Sequence, residues 1–231
     1  TGKRVLAEFG ITVPRGTTVA DSSQAASACE RLNAPFVVKG ISQDVIHKSD
    51  IGVVHLDLPN ADAVETAINK IETSLKANSA RIDAYLVEEM APAGQELVIG
   101  GLVDAQFGPV VMIGLGGVFI EIFKDTAFRL CPIVRSDAEA MLDELIAAPI
   151  LAGARGQQAI DRKAVIDALC AIGGNDGLLW RYRDLIVEID INPLIVASRG
   201  AIAADARIVL GKGVFTQSSV PIFKKETHIR E

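Results

Sequence analysis

The sequence has few cysteines and few aromatic residues. Its three cysteines, Cys29, Cys131 and Cys170, lie far apart, and none belongs to a CxxC pair or to a Cys/His cluster. This pattern argues against a disulfide framework and against a zinc site. It favours a reducing compartment, so we expect a cytoplasmic protein whose thiols are packed in apolar or helical surroundings.

An excess of positive charge and a long apolar run are absent as well. The net charge is −6, whereas a general nucleic-acid or anionic-membrane surface needs a basic face. The richest apolar stretch, Pro109–Phe123, is interrupted by Gly114, Gly116 and Gly117 and does not reach the length of a membrane span. We therefore expect no nucleic-acid partner and no membrane partner, although a locally basic pocket remains possible.

The remaining composition is dominated by Val, Ile, Leu and Ala, with 49% hydrophobic residues. This composition favours an α/β or α+β protein over a disordered or fibrous one. A length of 231 residues allows one large domain or two lobes. The chain starts at Thr1 without a methionine and enters a helical pattern at once. We expect it to be a domain of a longer polypeptide or a processed subunit.

Hydrophobic periodicity predicts helices and strands in mixed order. Helices are predicted over residues 3–9, 21–32, 61–77, 136–147 and 161–172. Strands are predicted over residues 11–13, 17–19, 36–38, 53–58, 84–90, 95–102, 109–113, 118–123, 128–133, 185–190, 193–196 and 201–205. The order fits a smaller αβ lobe over residues 1–80, followed by a larger lobe over residues 81–231 with a mostly antiparallel sheet.

The stretch Pro35–Leu58 predicts two strands joined by a polar loop. The first strand ends at Lys39 and Gly40, and the loop contains His47 and Lys48. Lysine ammonium groups are compact charges suited to phosphate, and glycine lets the backbone approach a ligand closely. The stretch therefore suits an anion-binding hairpin, and an ordinary surface hairpin with solvated charges is the alternative.

Two later clusters could bind the same ligand. In Val87–Glu96 a strand ends in a turn, where backbone groups can pair with a base edge and the closing glutamate can accept hydrogen bonds from ribose. Strand alternation places Glu188, Asp190 and Asn192 on one face, with Asp205 beyond the next turn. Carboxylate and amide oxygens are ligands that Mg²⁺ takes beside nucleotide phosphates. A strand-edge glutamate and a solvated acidic face are the structural alternatives.

Several motifs carry a resemblance to a known family, and they run from about residue 6 to residue 210. They are PFVVKG, VIHKSDIGVVHLDL, LVEEMAPAGQELVIGGLVD, FGPVVMIGLGGVFIEIFKDTAFRLCPI, Leu151–Gly156, VEIDINPLIV and AADARIVL. The chain resembles the ATP-grasp domain of NDP-forming acyl-CoA synthetases, relatives of the succinyl-CoA synthetase β subunit, and HKSD and EIDINPL are the specific motifs. The resemblance implies an ATP-grasp fold in which two lobes grip a nucleotide.

The resemblance implies an acid–thiol ligase that couples ATP hydrolysis to the formation of an acyl-CoA thioester. Lys39 matches the lysine that contacts nucleotide phosphates, and His47, beside Lys48, matches a histidine that relays a phosphoryl group. Much of an ordinary imidazole is uncharged and nucleophilic at neutral pH. The two lysines and Mg²⁺ would offset charge on the transferred group.

Further ligands are implied by the same resemblance. The implied nucleotide-binding residues are Glu88, Glu89, Met90, Glu96 and Arg207. The first three fall on the hinge that holds adenine through backbone groups, and Glu96 matches the ribose carboxylate. The implied Mg²⁺-binding residues are Asp190, Asn192 and Asp205. The glycine loop Gly114–Gly117 matches a family segment without an assigned ligand.

The implied activity requires a partner domain or subunit that binds CoA, because no G-x-G-x-x-G motif opens a helix here. The acyl substrate, the choice of ATP or GTP and the oligomeric state stay open. Two positions depart from the family pattern: Val53 replaces a common glycine, and Glu88 replaces a common glutamine. A carboxylate, unlike an amide, cannot donate a hydrogen bond to a base.

The alternative from another class is a non-catalytic nucleotide-sensing domain of a protein acetyltransferase or another multidomain protein. Retention of His47, Asp190, Asn192 and Asp205 favours the catalytic interpretation. A carboxylate–amine ligase of the same fold is disfavoured by the HKSD loop.

Overall fold

The chain divides into two compact units. A computed structural model describes residues 2–42, 52–77, 81–116, 125–154 and 158–211. The small unit is Pro14–Ala91, and the large unit is Thr1–Val13 with Pro92–Glu231. These bounds differ from the expected lobes 1–80 and 81–231. The first helix packs with strands of the large unit, and the strand after residue 81 pairs inside the sheet of the small unit.

The described helices and strands alternate irregularly along the chain. The helices are α1 Gly2–Glu8, α2 Ala25–Cys29, α3 Ala61–Ala77, α4 Arg135–Asp143, α5 Ala148–Leu151, α6 Arg162–Gly173 and α7 Leu178–Arg181, with a 3₁₀ turn at Ser22–Gln24. The strands are β1 Gly16–Val19, β2 Phe36–Ile41, β3 Val54–Leu58, β4 Ala84–Glu89, β5 Gln95–Asp104, β6 Gly108–Leu115, β7 Thr126–Leu130, β8 Ile186–Val196, β9 Ala201–Ala203 and β10 Ala206–Leu210. Among the described helices, none combines the length and the apolar character that crossing a bilayer demands.

The small unit is a four-stranded antiparallel sheet in the order β1-β4-β2-β3. Helices α2 and α3 cover one face, where Val38 and Val87 are completely buried with Ile68 and Ile71 of α3. The buried positions of α3 recur at helical spacing. The predicted helix 61–77 and the predicted antiparallel hairpin of β2 and β3 are confirmed.

The large unit is built on an antiparallel sheet in the order β10-β8-β5-β6-β7, with β9 paired to β8. Helix α6 packs against β5 and β6, α4 against β7, and α1 against β10. Ile99, Ile189 and Ile191 point into the core below these helices. The mostly antiparallel sheet is therefore confirmed. The predicted strand 118–123 lies outside the described residues.

Several element boundaries differ from prediction because strand pairing decides them. Residues 186–196 form one strand rather than two. Pro193 fits in it because the pairing with β5 shifts register between Leu97 and Ile99, and such a bulge tolerates a missing N–H. Residues 11–13 do not form a strand. The predicted strand 201–205 is shorter, since β9 covers only Ala201–Ala203, and the next strand, β10, was not predicted.

Helix starts were predicted with mixed success. Asp161 caps α6 as expected, since its Oδ1 accepts a hydrogen bond from Ala164 N at 3.0 Å. The predicted cap of α4 at Ser136 or Asp137 is wrong: the N-cap is Val134, the helix begins at Arg135, and Asp137 accepts from Val134 N at 2.8 Å. The predicted helix 21–32 is a 3₁₀ turn followed by the short α2.

Candidate functional site

The small unit carries a buried ion pair on its sheet. Lys39 Nζ lies 3.2 Å from Glu88 Oε2, and the two side chains are only 11% and 4% exposed. Lys39 faces Leu86 across the strands and Glu88 faces Val37. The ion-paired side chains are therefore diagonal neighbours on the face opposite α2 and α3. A buried ammonium needs a polar partner, so Glu88 sets the direction of Lys39.

Glycine 16 makes room for this pair. Gly16 lies directly opposite Glu88 on the edge strand β1. A Cβ atom at residue 16 would lie 2.7 Å from Glu88 Cγ and 2.9 Å from the Val87 carbonyl oxygen. This ion pair of Glu88 and the role of Gly16 were not predicted from the sequence. A glycine inside a strand often marks such a close approach, but the predicted strand began at residue 17, so Gly16 gave no such signal.

The other hinge residues lie where β4 ends. Glu89 N donates to the Arg15 carbonyl at 2.9 Å, and Met90 N donates to the Pro35 carbonyl at 2.9 Å. The Glu89 carboxylate accepts from Asn33 N at 3.0 Å and from its Nδ2 at 2.9 Å. Because both N–H groups are already bonded, a base edge at this position would meet carbonyl oxygens or side chains.

The large unit gathers the acidic residues on one face of its sheet. Glu188, Asp190 and Asn192 alternate along β8 with the buried Ile189 and Ile191 and so lie on the face opposite the core. This confirms the arrangement that strand alternation predicted.

The neighbouring strands add further groups to this face. Arg207 of β10 stands directly opposite Asp190. Ala204 N donates to the Pro193 carbonyl at 3.0 Å and Ala206 stands opposite Ile191, so Asp205 comes beside Asn192.

Burial and nearby charges set the electrostatics of this face. Burial raises the pKa of Asp190, and the nearby Glu188 and Asp205 carboxylates raise it further, whereas the Arg207 guanidinium lowers it. Arg207 also forms an ion pair with Glu188. The Asp190 carboxylate therefore lies near two other carboxylates and one guanidinium, and a bound cation would stabilise its charged form.

The chemistry of these donors fits Mg²⁺. Asp190 and Asp205 supply carboxylates, and Asn192 supplies an amide oxygen. Mg²⁺ is usually held by one or two carboxylates together with substrate phosphates and water, rather than by a complete protein cage. No group of three or more His, Cys, Asp or Glu side chains within the described ranges is arranged to hold a metal alone. The donor set therefore suits an ion that arrives with a nucleotide.

Glu96 lies at the start of β5, on the same face as Asp190 by strand alternation. Its side chain is exposed, and its carbonyl oxygen accepts from Gly116 N at 2.7 Å. A Cβ at residue 116 would lie 2.8 Å from that oxygen, and a Cβ at Gly114 would lie 2.8 Å from Thr126 Cγ2. These two glycines therefore permit close contacts within the sheet.

The predicted site residues fall into three groups. Lys39, Glu88, Glu89 and Met90 belong to the small unit, and Glu96, Asp190, Asn192, Asp205 and Arg207 belong to the large unit. His47, Lys48 and Gly117 lie outside the described residues. The structure brings together the members of each unit, and the individual ligand roles stay predictions.

Comparison with known proteins identifies the family. A family model described as an ATP-grasp domain matches residues 1–210. The β subunit of an ADP-forming acetate–CoA ligase (I) from Pyrococcus furiosus is 37% identical over 210 residues, which cover 90% of this chain and 89% of that subunit.

Solved structures agree with this assignment. Acetyl-coenzyme A synthetase 1 (dinucleotide forming) of Ca. Korarchaeum cryptofilum, in complex with coenzyme A, Ca-AMPCP and HgCl+, has a TM-score of 0.86 at 39% identity, and the match covers 91% of each chain. The same synthetase with coenzyme A and Mg-AMPPCP, its phosphohistidine segment pointing towards the nucleotide binding site, has a TM-score of 0.77 at 37% identity over 91% of this chain and 90% of that one. The expected fold class is confirmed, and the chain belongs to the ATP-grasp domains of the ADP-forming acyl-CoA synthetase family.

Proposed function

We propose that this chain is the nucleotide-binding component of an ADP-forming acyl-CoA synthetase. It binds ATP with Mg²⁺ and passes the γ-phosphoryl group to His47. The observation that carries the proposal is the acidic face of the large unit. Asp190 and Asn192 lie on β8, and Asp205 comes beside Asn192 from the connection between β9 and β10. The buried Lys39 of the small unit supports it by supplying a cation for phosphate.

The proposed chemistry begins with attack of the neutral His47 imidazole on the γ-phosphorus of ATP. A nitrogen–phosphorus bond forms, the bond to the β,γ-bridging oxygen breaks, and ADP leaves. The phosphoryl group then moves to a carboxylic acid, and the thiol of CoA attacks the resulting acyl phosphate and releases inorganic phosphate. Bound Mg²⁺ would neutralise charge on the phosphates, while Lys39 and Lys48 orient them.

The second half of this chemistry needs a partner. We propose a CoA-binding domain or subunit that also holds the small carboxylic acid. The Pyrococcus relative is named as a β subunit, and the Korarchaeum synthetase was solved with coenzyme A, which supports such a division. The cytoplasmic location expected from the cysteine content stays a prediction.

The test is phosphoryl transfer from ATP labelled at the γ-phosphorus. The 231-residue chain is incubated with labelled ATP, Mg²⁺ and the partner subunit, and the protein is examined for acid-labile, base-stable label. We expect label on the wild type and none on His47→Ala. The matched control is His55→Ala, because His55 lies on β3 with its pKa lowered by burial and by Lys70, and we expect it to keep the label.

Two results would contradict the proposal. Equal labelling of wild type and His47→Ala would exclude His47 as the phosphoryl carrier. Tight nucleotide binding without any label would favour the non-catalytic sensing domain instead.

A further inference from the structure

A lysine of the first helix reaches the strand connection that carries Asp205. Lys3 is 9% exposed and lies on the buried side of α1 with Val5 and Leu6. Its Nζ donates a hydrogen bond to the Ala204 carbonyl oxygen at 3.3 Å, across 201 residues of sequence. The ammonium group therefore lies at the residue directly before Asp205.

Gly2, the residue before Lys3, lies close to Ala206, the residue after Asp205. A Cβ atom at Gly2 would lie 2.7 Å from the Ala206 carbonyl oxygen and 3.5 Å from Ala206 Cβ. Gly2 and Lys3 thus approach the residues on both sides of Asp205. The Asp205 carboxylate itself accepts from Ala206 N at 2.9 Å.

The same connection is held on its strand side by backbone hydrogen bonds. Ala204 N donates to the Pro193 carbonyl at 3.0 Å, and Ala203 N donates to the Thr12 carbonyl at 2.9 Å. Because Asp205 lies between β9 and β10, outside both strands, the sheet alone does not complete its support. Contacts from α1 supply the remaining side.

Lysine is seldom found on the buried side of a helix. The neighbouring buried positions of α1 are Val5 and Leu6, and a methionine would fill the space of Lys3 without the desolvation of an ammonium group. The Lys3 ammonium group instead lies beside the strand connection that carries Asp205, one of the implied Mg²⁺-binding residues.

We propose that Lys3 is a positioning residue for Asp205 and thereby for the Mg²⁺ that accompanies the nucleotide. The inference rests on the proposed function, since it concerns the same metal-binding face. Lys3 holds the backbone directly before Asp205 through its hydrogen bond to the Ala204 carbonyl oxygen, and it thereby orients the Asp205 side chain. Replacing a residue that hydrogen-bonds to and orients a metal ligand usually lowers metal affinity about 10–100-fold.

The experiment compares Lys3→Met with Lys3→Arg and with Arg4→Met, in the full 231-residue chain. Arg4 is the exposed neighbour in the same helix, so its replacement removes one charge without touching Asp205. Affinity for a fluorescent ATP analogue is measured as Mg²⁺ is titrated and again in EDTA. We expect Lys3→Met to raise the Mg²⁺ concentration at the midpoint of the titration at least about tenfold. Lys3→Arg, which keeps the positive charge, should stay close to the wild type.

A role in stability alone would give a different pattern. It would lower the thermal midpoint of Lys3→Met without changing the Mg²⁺ midpoint of the folded protein. If Lys3→Met does not fold, Lys3→Gln replaces it in the same comparison. A Mg²⁺ midpoint equal to that of Arg4→Met, for either variant, would overturn the inference while leaving the proposed function intact. Absence of Mg²⁺-dependent binding in the wild type would instead contradict the proposed function.

Discussion

Glu88 holds Lys39 by a buried ion pair across two strands, with Nζ 3.2 Å from Oε2. The pair joins a residue implied to contact phosphates to one implied to contact adenine. An incoming phosphate would compete with Glu88 for the same ammonium group. Replacement of Lys39 should weaken nucleotide binding, and it should also lower stability because the buried Glu88 carboxylate loses this ion pair.

We expect Lys39→Met to weaken ATP binding about tenfold or more, because a hydrogen bond to a charged group contributes about 1.5–3 kcal/mol. Isothermal titration with Mg·ATP measures the change. Lys76→Met is the control, since Lys76 is exposed on α3 and forms an ion pair with Glu72, one turn away in the same helix. Equal affinities of the two variants would place the phosphate elsewhere.

A side chain at residue 16 should displace Glu88. We expect Gly16→Ala to lower the thermal midpoint by several degrees, because the new Cβ would lie 2.7 Å from Glu88 Cγ; overpacking of this kind costs about 1–3 kcal/mol.

A double-mutant cycle separates the two contacts that residue 16 would make. Glu88→Ala removes the Cγ atom, so Gly16→Ala should destabilise that background less than the wild type. Additive effects would show that the clash is with the Val87 carbonyl alone.

Removal of the metal donors should abolish the Mg²⁺ dependence of nucleotide binding. We expect this result for Asn192→Ala combined with Asp205→Ala, because both oxygen donors next to the turn before β10 are then lost. Binding of the nucleotide is measured with and without Mg²⁺.

The matched control for this pair is Asn175→Ala combined with Asp176→Ala. These residues have the same types and are exposed in the turn between α6 and α7. Unchanged Mg²⁺ dependence in the first pair would move the metal site away from β8.

Asp161 should make folding stability depend on pH in the acid range. Hydrogen bonds from Gly200 N and Ala164 N lower the pKa of its carboxyl in the folded chain. A lowered folded pKa gives stability that is complete above the unfolded pKa of about 3.9 and that is lost as the pH falls through the folded value.

We therefore expect Asp161→Ala to cost about 0.5–2 kcal/mol at pH 6, as the loss of a helix N-cap does. The difference from wild type should shrink below about pH 4. Urea unfolding at several pH values measures it, and a difference that stays constant down to pH 2.5 would contradict the assignment of the cap.

Local patterns predicted much of the fold. The helical spacing of Ile68 and Ile71 predicted α3, and Asp161 marked the start of α6, because both signals lie within a few residues. The course of β8 through Pro193 was not predicted, since a bulge against β5 depends on a partner strand about 95 residues away in sequence. The packing of α1 with the large unit depends on partners even farther along the chain.

The same distinction applies to the candidate site. Alternation along one strand predicted that Glu188, Asp190 and Asn192 share a face. The ion pair between Lys39 and Glu88 was missed, because a diagonal contact depends on the register between β2 and β4. Lys3 was missed for a similar reason, since nothing near it in the sequence indicates its contact with Ala204.

The hydrogen bond between Lys3 and Ala204 has a consequence for biosynthesis. Among the described elements, α1 is synthesised first and β10 last. The contacts of α1 with Ala204 and β10 therefore cannot form until translation has passed residue 210. The small unit is one continuous stretch, Pro14–Ala91, and all its strands have been synthesised by then. In nascent chains, the small unit should therefore become protease-resistant before the large unit does.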